Sequence, residues 1–221
     1  MMCDARLFEP QVAVFARERA VMVAPLTRAD SMEKIAADVL AHAPPRFALA
    51  GLSMGGIVAM EVLRQASHRV ERLALLDTNP LAEAQARAAQ RGPQIERALA
   101  GGLRAILRDD MKPHYLSDGP DRDRILALCM AMGEDLGGEV FVKQSVALRA
   151  RRDQCKTLES ADMPSLVLCG QDDRLCPLDR HLLMAELLPN AELVVIEGAG
   201  HLPTLEQPAA TNAALATWLS R

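Results

Sequence analysis

FALAGLSMGGIVAM, Phe47–Met60, sets two apolar runs on either side of a serine packed among glycines. Phe47, Ala48, Leu49 and Ala50 read as a buried strand, and Ile57, Val58, Met60, Val62 and Leu63 read as a helix. Between them Gly51, Ser53 and Gly55 give the spacing G-x-S-x-G. A hydroxyl on a sharp strand-to-helix turn stays exposed and cannot sink into the core. Glycines suit such a turn because the backbone takes strained angles and helix and strand approach closely. A tight turn with an incidental serine is the plainer reading of these five letters, so the rest of the chain has to decide.

The pattern on either side of this stretch is that of a parallel sheet. Phe8 to Arg19 reads as a helix and Ala20 to Leu26, AVMVAPL, as a strand. Asp30 and Glu33 have capping-box spacing, with Met32, Ile35 and Val39 following on one helical face, and Pro44-Pro45 stopping it. Arg72 to Asp77, RLALLD, is a further apolar run. SLVLC (165–169) and ELVVIE (192–197) read as strands, with helices at Leu182–Leu188 and Thr204–Leu219. These runs are continuously apolar rather than alternating, which predicts an α/β fold with a mostly parallel sheet covered by helices on both faces. Between Leu81 and Asp162 the strand pattern stops. That stretch is rich in Ala and Arg and reads as a helical cap insertion (81–162) into a core made of 1–80 and 163–221. Ordinary sheet-covering helices are the alternative. Met111, Tyr115, Leu116, Met130 and Met132 could line a pocket there or be simple core.

Composition excludes several classes. The 221 residues allow one domain with an insertion, and 50% are hydrophobic, enough for a sizeable core. Net charge is −4 and aromatics are 3%, which leaves neither a basic footprint nor stacking platforms for nucleic acid. Cys3, Cys129, Cys155, Cys169 and Cys176 are odd in number and scattered, so they are expected to be reduced thiols in a cytoplasmic protein. Asp4, Arg6 and Glu9 break the opening stretch, so neither a signal segment nor a membrane span is expected. No H-E-x-x-H or G-x-x-x-x-G-K occurs, and no metal or cofactor is expected.

Function in an open parallel sheet gathers at the carboxyl ends of strands. Three polar constellations fall there: Ser53; GQDDRLCP, Gly170–Pro177, after SLVLC; and GAGHLP, Gly198–Pro203, after ELVVIE. A serine hydroxyl needs a base within hydrogen-bond reach, and that base needs an orienting carboxylate. Ser53 as nucleophile, Asp173 as acid and His201 as base supply one candidate for each role, in the chain order that follows a serine turn of this kind. Asp172 and Asp77 are rivals for the acid. His42, His68, His114 and His181 lack a matching turn and read as surface histidines, and Glu206 reads as a loop-tying or capping residue.

GLSMGG, the G-x-x-D-x-x-x-P of Gly170, Asp173 and Pro177, and GAGHLPTLEQP together make the chain resemble the α/β-hydrolase superfamily, in its small esterase-like subgroup with a helical cap. The resemblance runs from about Cys3 to the C-terminus. It implies a serine hydrolase of small or medium carboxylic esters acting through an acyl-enzyme. It also implies an oxyanion hole using the N–H of Met54, with the second donor at or beside Met1 and Met2. Hydrolysis of a C–C, thioester or lactone bond, cofactor-free haloperoxidase activity and a non-catalytic binding protein stay open. The family places a strand and hairpin before Met1. We therefore expect an N-terminally shortened version of the fold, begun at an internal methionine; the alternative is that AVMVAPL pairs directly with FALAGLS.

Overall fold

The computed structural model describes all residues, 1–221. The chain opens with a 3₁₀ turn at Ala5–Phe8 and runs through α1 (Glu9–Phe15), α2 (Met32–His42), β1 (Phe47–Leu52), α3 (Met54–Ala66) and β2 (Val70–Leu76). The helical segment follows: α4 (Gln85–Arg97), α5 (Leu103–Ala105) with π-helical turns on either side, α6 (Arg122–Arg149) and α7 (Cys155–Glu159). β3 (Ser165–Gly170), α8 (Leu178–Leu187), β4 (Ala191–Ile196), α9 (Pro203–Glu206) and α10 (Pro208–Ser220) complete it. The four strands form one parallel sheet in the order β1-β2-β3-β4.

Side-chain alternation along the central strands separates two cores. Leu73, Leu75 and Val167 face α2, α3, α7 and α8, where Ile35, Val39, Ile57, Met60, Leu158 and Met184 close the layer. Ala74, Leu76, Leu166 and Leu168 face the opposite way, onto Leu215 and Trp218 of α10 and Ile125 and Met132 of α6. Both faces of β2 and β3 are thus covered where the two strands pair, which is why Leu73–Leu76 and Leu166–Cys169 are apolar at successive positions. Trp218 also spends its indole N–H on the Pro164 carbonyl (3.3 Å).

Several expectations are corrected. Ala20–Leu26 is not a strand. It pairs with nothing in the sheet, β1 forms the edge, and Val21, Met22 and Val23 are exposed by 42, 51 and 38%. Apolar and β-branched composition favours a strand only where a neighbour offers a ladder. Direct pairing of AVMVAPL with FALAGLS therefore does not occur. The first helix ends at Phe15, short of Arg19. The cap of α2 is Ser31, whose Oγ accepts from the Lys34 amide (3.3 Å), while Asp30 instead pairs with Lys34 Nζ at 3.1 Å. Within the helical segment, α6 breaks at Gly137, whose φ of 78° and ψ of 173° lie outside the helical region.

Candidate active site

β1 ends against α3 in a turn so tight that a Cβ on Gly51 would strike the Gly55 carbonyl. The second glycine that the packing requires is Gly56, whose added Cβ would lie 2.6 Å from Thr78; Gly55 faces open space. Ser53 sits at φ 53°, ψ −115°, a conformation L residues rarely adopt. It is held there by its own N–H to the Leu76 carbonyl (2.9 Å) and by its carbonyl, which accepts from the Thr78 hydroxyl (2.7 Å). Its side chain is left half-exposed at the carboxyl end of the sheet. Met54 opens α3, at the position whose N–H has no intrahelical partner.

The loops after β3 and β4 meet this hydroxyl. Ser53 Oγ–H donates to His201 Nε2 at 2.8 Å, and His201 Nδ1–H donates to Asp173 Oδ2 at 2.8 Å. Asp173 Oδ1 accepts from the amides of Leu175 (2.8 Å) and Cys176 (3.1 Å). Burial pushes the Asp173 carboxyl up, but the hydrogen bond from His201 and these two amides outweigh it and leave it below the ordinary aspartate range. Asp172, the neighbouring rival, is exposed, with its backbone tied to Ala199. Asp77 is fully buried and bonds the Gly170 amide rather than His201.

His201 is fixed from three sides. Its amide donates to the Tyr115 carbonyl (2.7 Å), and the Tyr115 ring packs edge-on to the imidazole at 5.4 Å. Glu206 accepts from the amides of Gly200 (3.0 Å) and Leu202 (3.0 Å) and from both the amide and hydroxyl of Ser117 (2.8 Å each). One carboxylate thereby ties the histidine loop to the helical segment, the loop-tying part expected of it. Close approach also demands the small residues here, since a Cβ on Gly170 would collide with the Gly200 carbonyl.

The N-terminal segment docks beside the site. Lys112 is fully buried, donates to the Met2 carbonyl (2.7 Å), and lies 4.8 Å from the Tyr115 ring centre. The Met2 amide donates to Gln144 Oε1 (2.9 Å), and Met1 accepts from Arg91 through sulfur and from Cys3 through its carbonyl. The structure thus brings Ser53, Asp173 and His201 together, while the polar contacts of Met1 go to Arg91 and Cys3. Asp173, Cys176 and His201 offer ligand atoms within 4.8 Å of one another. As a metal set it is poor: burial pushes the Cys176 thiol far up, and Asp173 and His201 already bond each other.

One expected surface residue is internal. His181 is fully buried, its Nε2 accepting from the Thr78 amide (3.2 Å), and burial lowers its pKa to about 4. His42, His68 and His114 are exposed. Thr78 and Ser117, which buttress the elbow and the histidine loop, carry no motif and left no signal in the sequence.

Comparison with known proteins agrees with this geometry. Residues 15–214 match the model of the alpha/beta hydrolase family. The pimeloyl-[acyl-carrier protein] methyl ester esterase of Klebsiella pneumoniae is 29% identical over 195 residues, spanning 81% of this chain and 72% of the relative. A thermophilic esterase from Thermogutta terrifontis, solved with malate bound, superposes with a TM-score of 0.90 at 26% identity, covering 99% of this chain and 86% of that one. The enol-lactonase of Burkholderia xenovorans shares the fold, with a TM-score of 0.86 at 21% identity over 100% of this chain and 88% of the other. With a family match that spans both strand-end loops and the serine turn, this chain belongs to the alpha/beta hydrolase family.

Proposed function

We propose that the chain is a serine hydrolase of small or medium carboxylic esters. The observation that carries this reading is the unbroken line from the strained Ser53 hydroxyl through His201 to Asp173, with both hydrogen bonds at 2.8 Å. In the proposed reaction His201 Nε2 takes the Ser53 proton as Oγ attacks the ester carbonyl. The tetrahedral intermediate collapses, His201 returns that proton to the departing alcohol, and an acyl-enzyme remains. Water, deprotonated by His201, then releases the acid and frees Ser53. Asp173 holds Nδ1–H, so that Nε2 faces the serine. The Met54 amide is assigned to the oxyanion, and the second donor is assigned to Met1, which packs against the apolar cluster that holds Met54.

Residues 81–162 are assigned the part of a cap, supported by the way Tyr115 and Ser117 reach over the histidine loop. The similar proteins, two esterases among them, support an ester as the bond cleaved. A cytoplasmic setting is proposed from the five free cysteines, and no helix is long and apolar enough to cross a membrane.

The test is intact-mass labelling with a fluorophosphonate beside Ser53→Ala, followed by a panel of esters, thioesters and lactones. A single adduct absent from Ser53→Ala, with turnover of carboxylic esters, is the expected result. No adduct on a folded chain would overturn the reading in favour of a binding protein. An adduct with turnover confined to thioesters or lactones would replace the bond and keep the mechanism.

A further inference from the structure

Asp77 is a buried carboxyl that the proposed mechanism does not use. It ends β2, beside the end of β3, and its own amide continues the ladder to the Leu168 carbonyl (2.9 Å). Its backbone turns at φ 43°, which L residues visit at a cost, asparagine and aspartate least reluctantly. The turn drives the side chain under the acid loop. There Oδ1 accepts from the Gly170 amide (2.8 Å), while Oδ2 is buried and meets no N–H or hydroxyl donor at all. An ionised carboxylate with an empty, desolvated oxygen is costly.

The neighbour supplies the answer. Asp77 and Asp173 meet across Gly170, whose amide donates to Asp77 Oδ1 (2.8 Å) and whose carbonyl accepts from the Asp173 amide (3.2 Å), and a side-chain hydrogen bond with Asp173 is among the causes that raise the Asp77 carboxyl. Asp173 already receives three N–H donors, from His201, Leu175 and Cys176, and an ionised carboxylate has about four acceptor sites. Two carboxylates this close cannot both be charged in a buried site, and they share one proton. The better-solvated partner keeps the charge. That partner is Asp173, with three donors against one.

Resting on the serine-hydrolase reading, we propose that Asp77 is a neutral carboxylic acid whose Oδ2–H donates the fourth hydrogen bond to Asp173, making it a positioning residue for the acid of the triad. The surroundings agree. Burial comes first and the charge of Asp173 second in holding the Asp77 carboxyl far above the ordinary aspartate range, with Glu206 adding to them. The remaining titratable groups around the pair are the thiols Cys169 and Cys176, pushed up by burial, and the imidazoles His181 and His201. Arg151 and Arg87 reach as far as the neighbouring Cys176, but no lysine or arginine forms an ion pair with either carboxyl.

Asparagine is the discriminating substitution. Its Oδ1 can accept from Gly170 and its NH₂ can donate to Asp173, reproducing the protonated acid and not the anion. Asp77→Ala should lower kcat/KM on an ester about tenfold and move the acid limb of its pH profile upward, because Asp173 loses a donor. Asp77→Asn should recover activity to within about threefold of the parent and restore the limb. A residue needed only for folding would lower activity without moving the limb. Asp77→Asn as impaired as Asp77→Ala, or a limb unmoved in Asp77→Ala, would overturn the proposal.

Infrared spectroscopy of the folded, isotope-labelled chain at neutral pH gives a readout independent of turnover. A protonated-carboxyl stretch should be present in the parent and in Ser53→Ala and absent from Asp77→Asn. It stands even if no ester proves to be a substrate or Asp77→Ala does not fold. Its absence from the folded parent would overturn the proposal by itself.

Discussion

The loops that leave β2 and β3 start side by side, and each places a buried aspartate at the end of its strand. They use it in opposite ways. After β3, the turn Gly170–Pro177 wraps its own amides around Asp173, so that Leu175 and Cys176 donate to one oxygen and His201 to the other. After β2, the chain turns at positive φ and offers Asp77 a single amide from across the sheet. It then sends Thr78 back to the Ser53 carbonyl and its amide to His181. A carboxyl at a strand end is therefore not an orienting acid by position. The number of donors converging on it decides whether it holds a charge and can turn an imidazole.

The largest test of that contrast is Asp173→Asn. The amide would place NH₂ against His201 Nδ1, select the wrong tautomer and leave Nε2 unable to accept the Ser53 proton. The expected loss in kcat is about 10⁴-fold with little change in the denaturation midpoint. A loss near tenfold would shift the acid's role away from the β3 loop.

Next in size is the histidine that the β2 loop buries. His181 is lowered to about 4 in the folded state from an ordinary 6.5. Between those values the unfolded chain binds the proton and the folded chain does not. Stability should therefore rise with pH across this window and be lost as pH falls, by about 3 kcal/mol in total. Urea denaturation of the parent and His181→Gln at stepped pH should show a gap that changes over this window.

Glu206→Gln probes the tie between the histidine loop and the helical segment. An amide group would face four donors with fewer acceptors, so a loss of about 2 kcal/mol in stability and a fall in kcat are expected, read by denaturation and initial rates. The smallest effect is expected from Thr78→Val. It keeps the shape packed on Gly56 but removes the hydroxyl bond to Ser53, whose carbonyl still accepts from the amides of Gly56 and Ile57. About 1 kcal/mol should be lost, with activity reduced by less than threefold.

The site was legible wherever a motif is local. Ser53, Asp173 and His201 each stand within a few residues of a strand end, and the glycines and prolines around them mark the turns. The supports were not legible, because Thr78, Ser117, Tyr115 and His181 act on residues far away in the chain. The G-x-S-x-G pattern misplaces one glycine of the turn for the same reason. The pattern names Gly55, but the contact that demands a glycine is that of Gly56 with Thr78, which follows another strand. In the fold, AVMVAPL is as apolar as the centre of RLALLD and has none of its structure. RLALLD lies between two strands with both faces covered, whereas Val21, Met22 and Val23 stand exposed outside the sheet.

By itself the sequence determined the class of the fold, the order of strands and helices from Phe47 onward and the three polar strand ends. Those follow from hydrophobic period and from turn chemistry, which act over a few neighbouring residues. Only the tertiary structure decided which apolar run becomes a strand, which histidine is buried neutral, and which of two aspartates faces the imidazole. Each of these depends on ladder partners, desolvation and donor counts contributed by residues dozens of positions away.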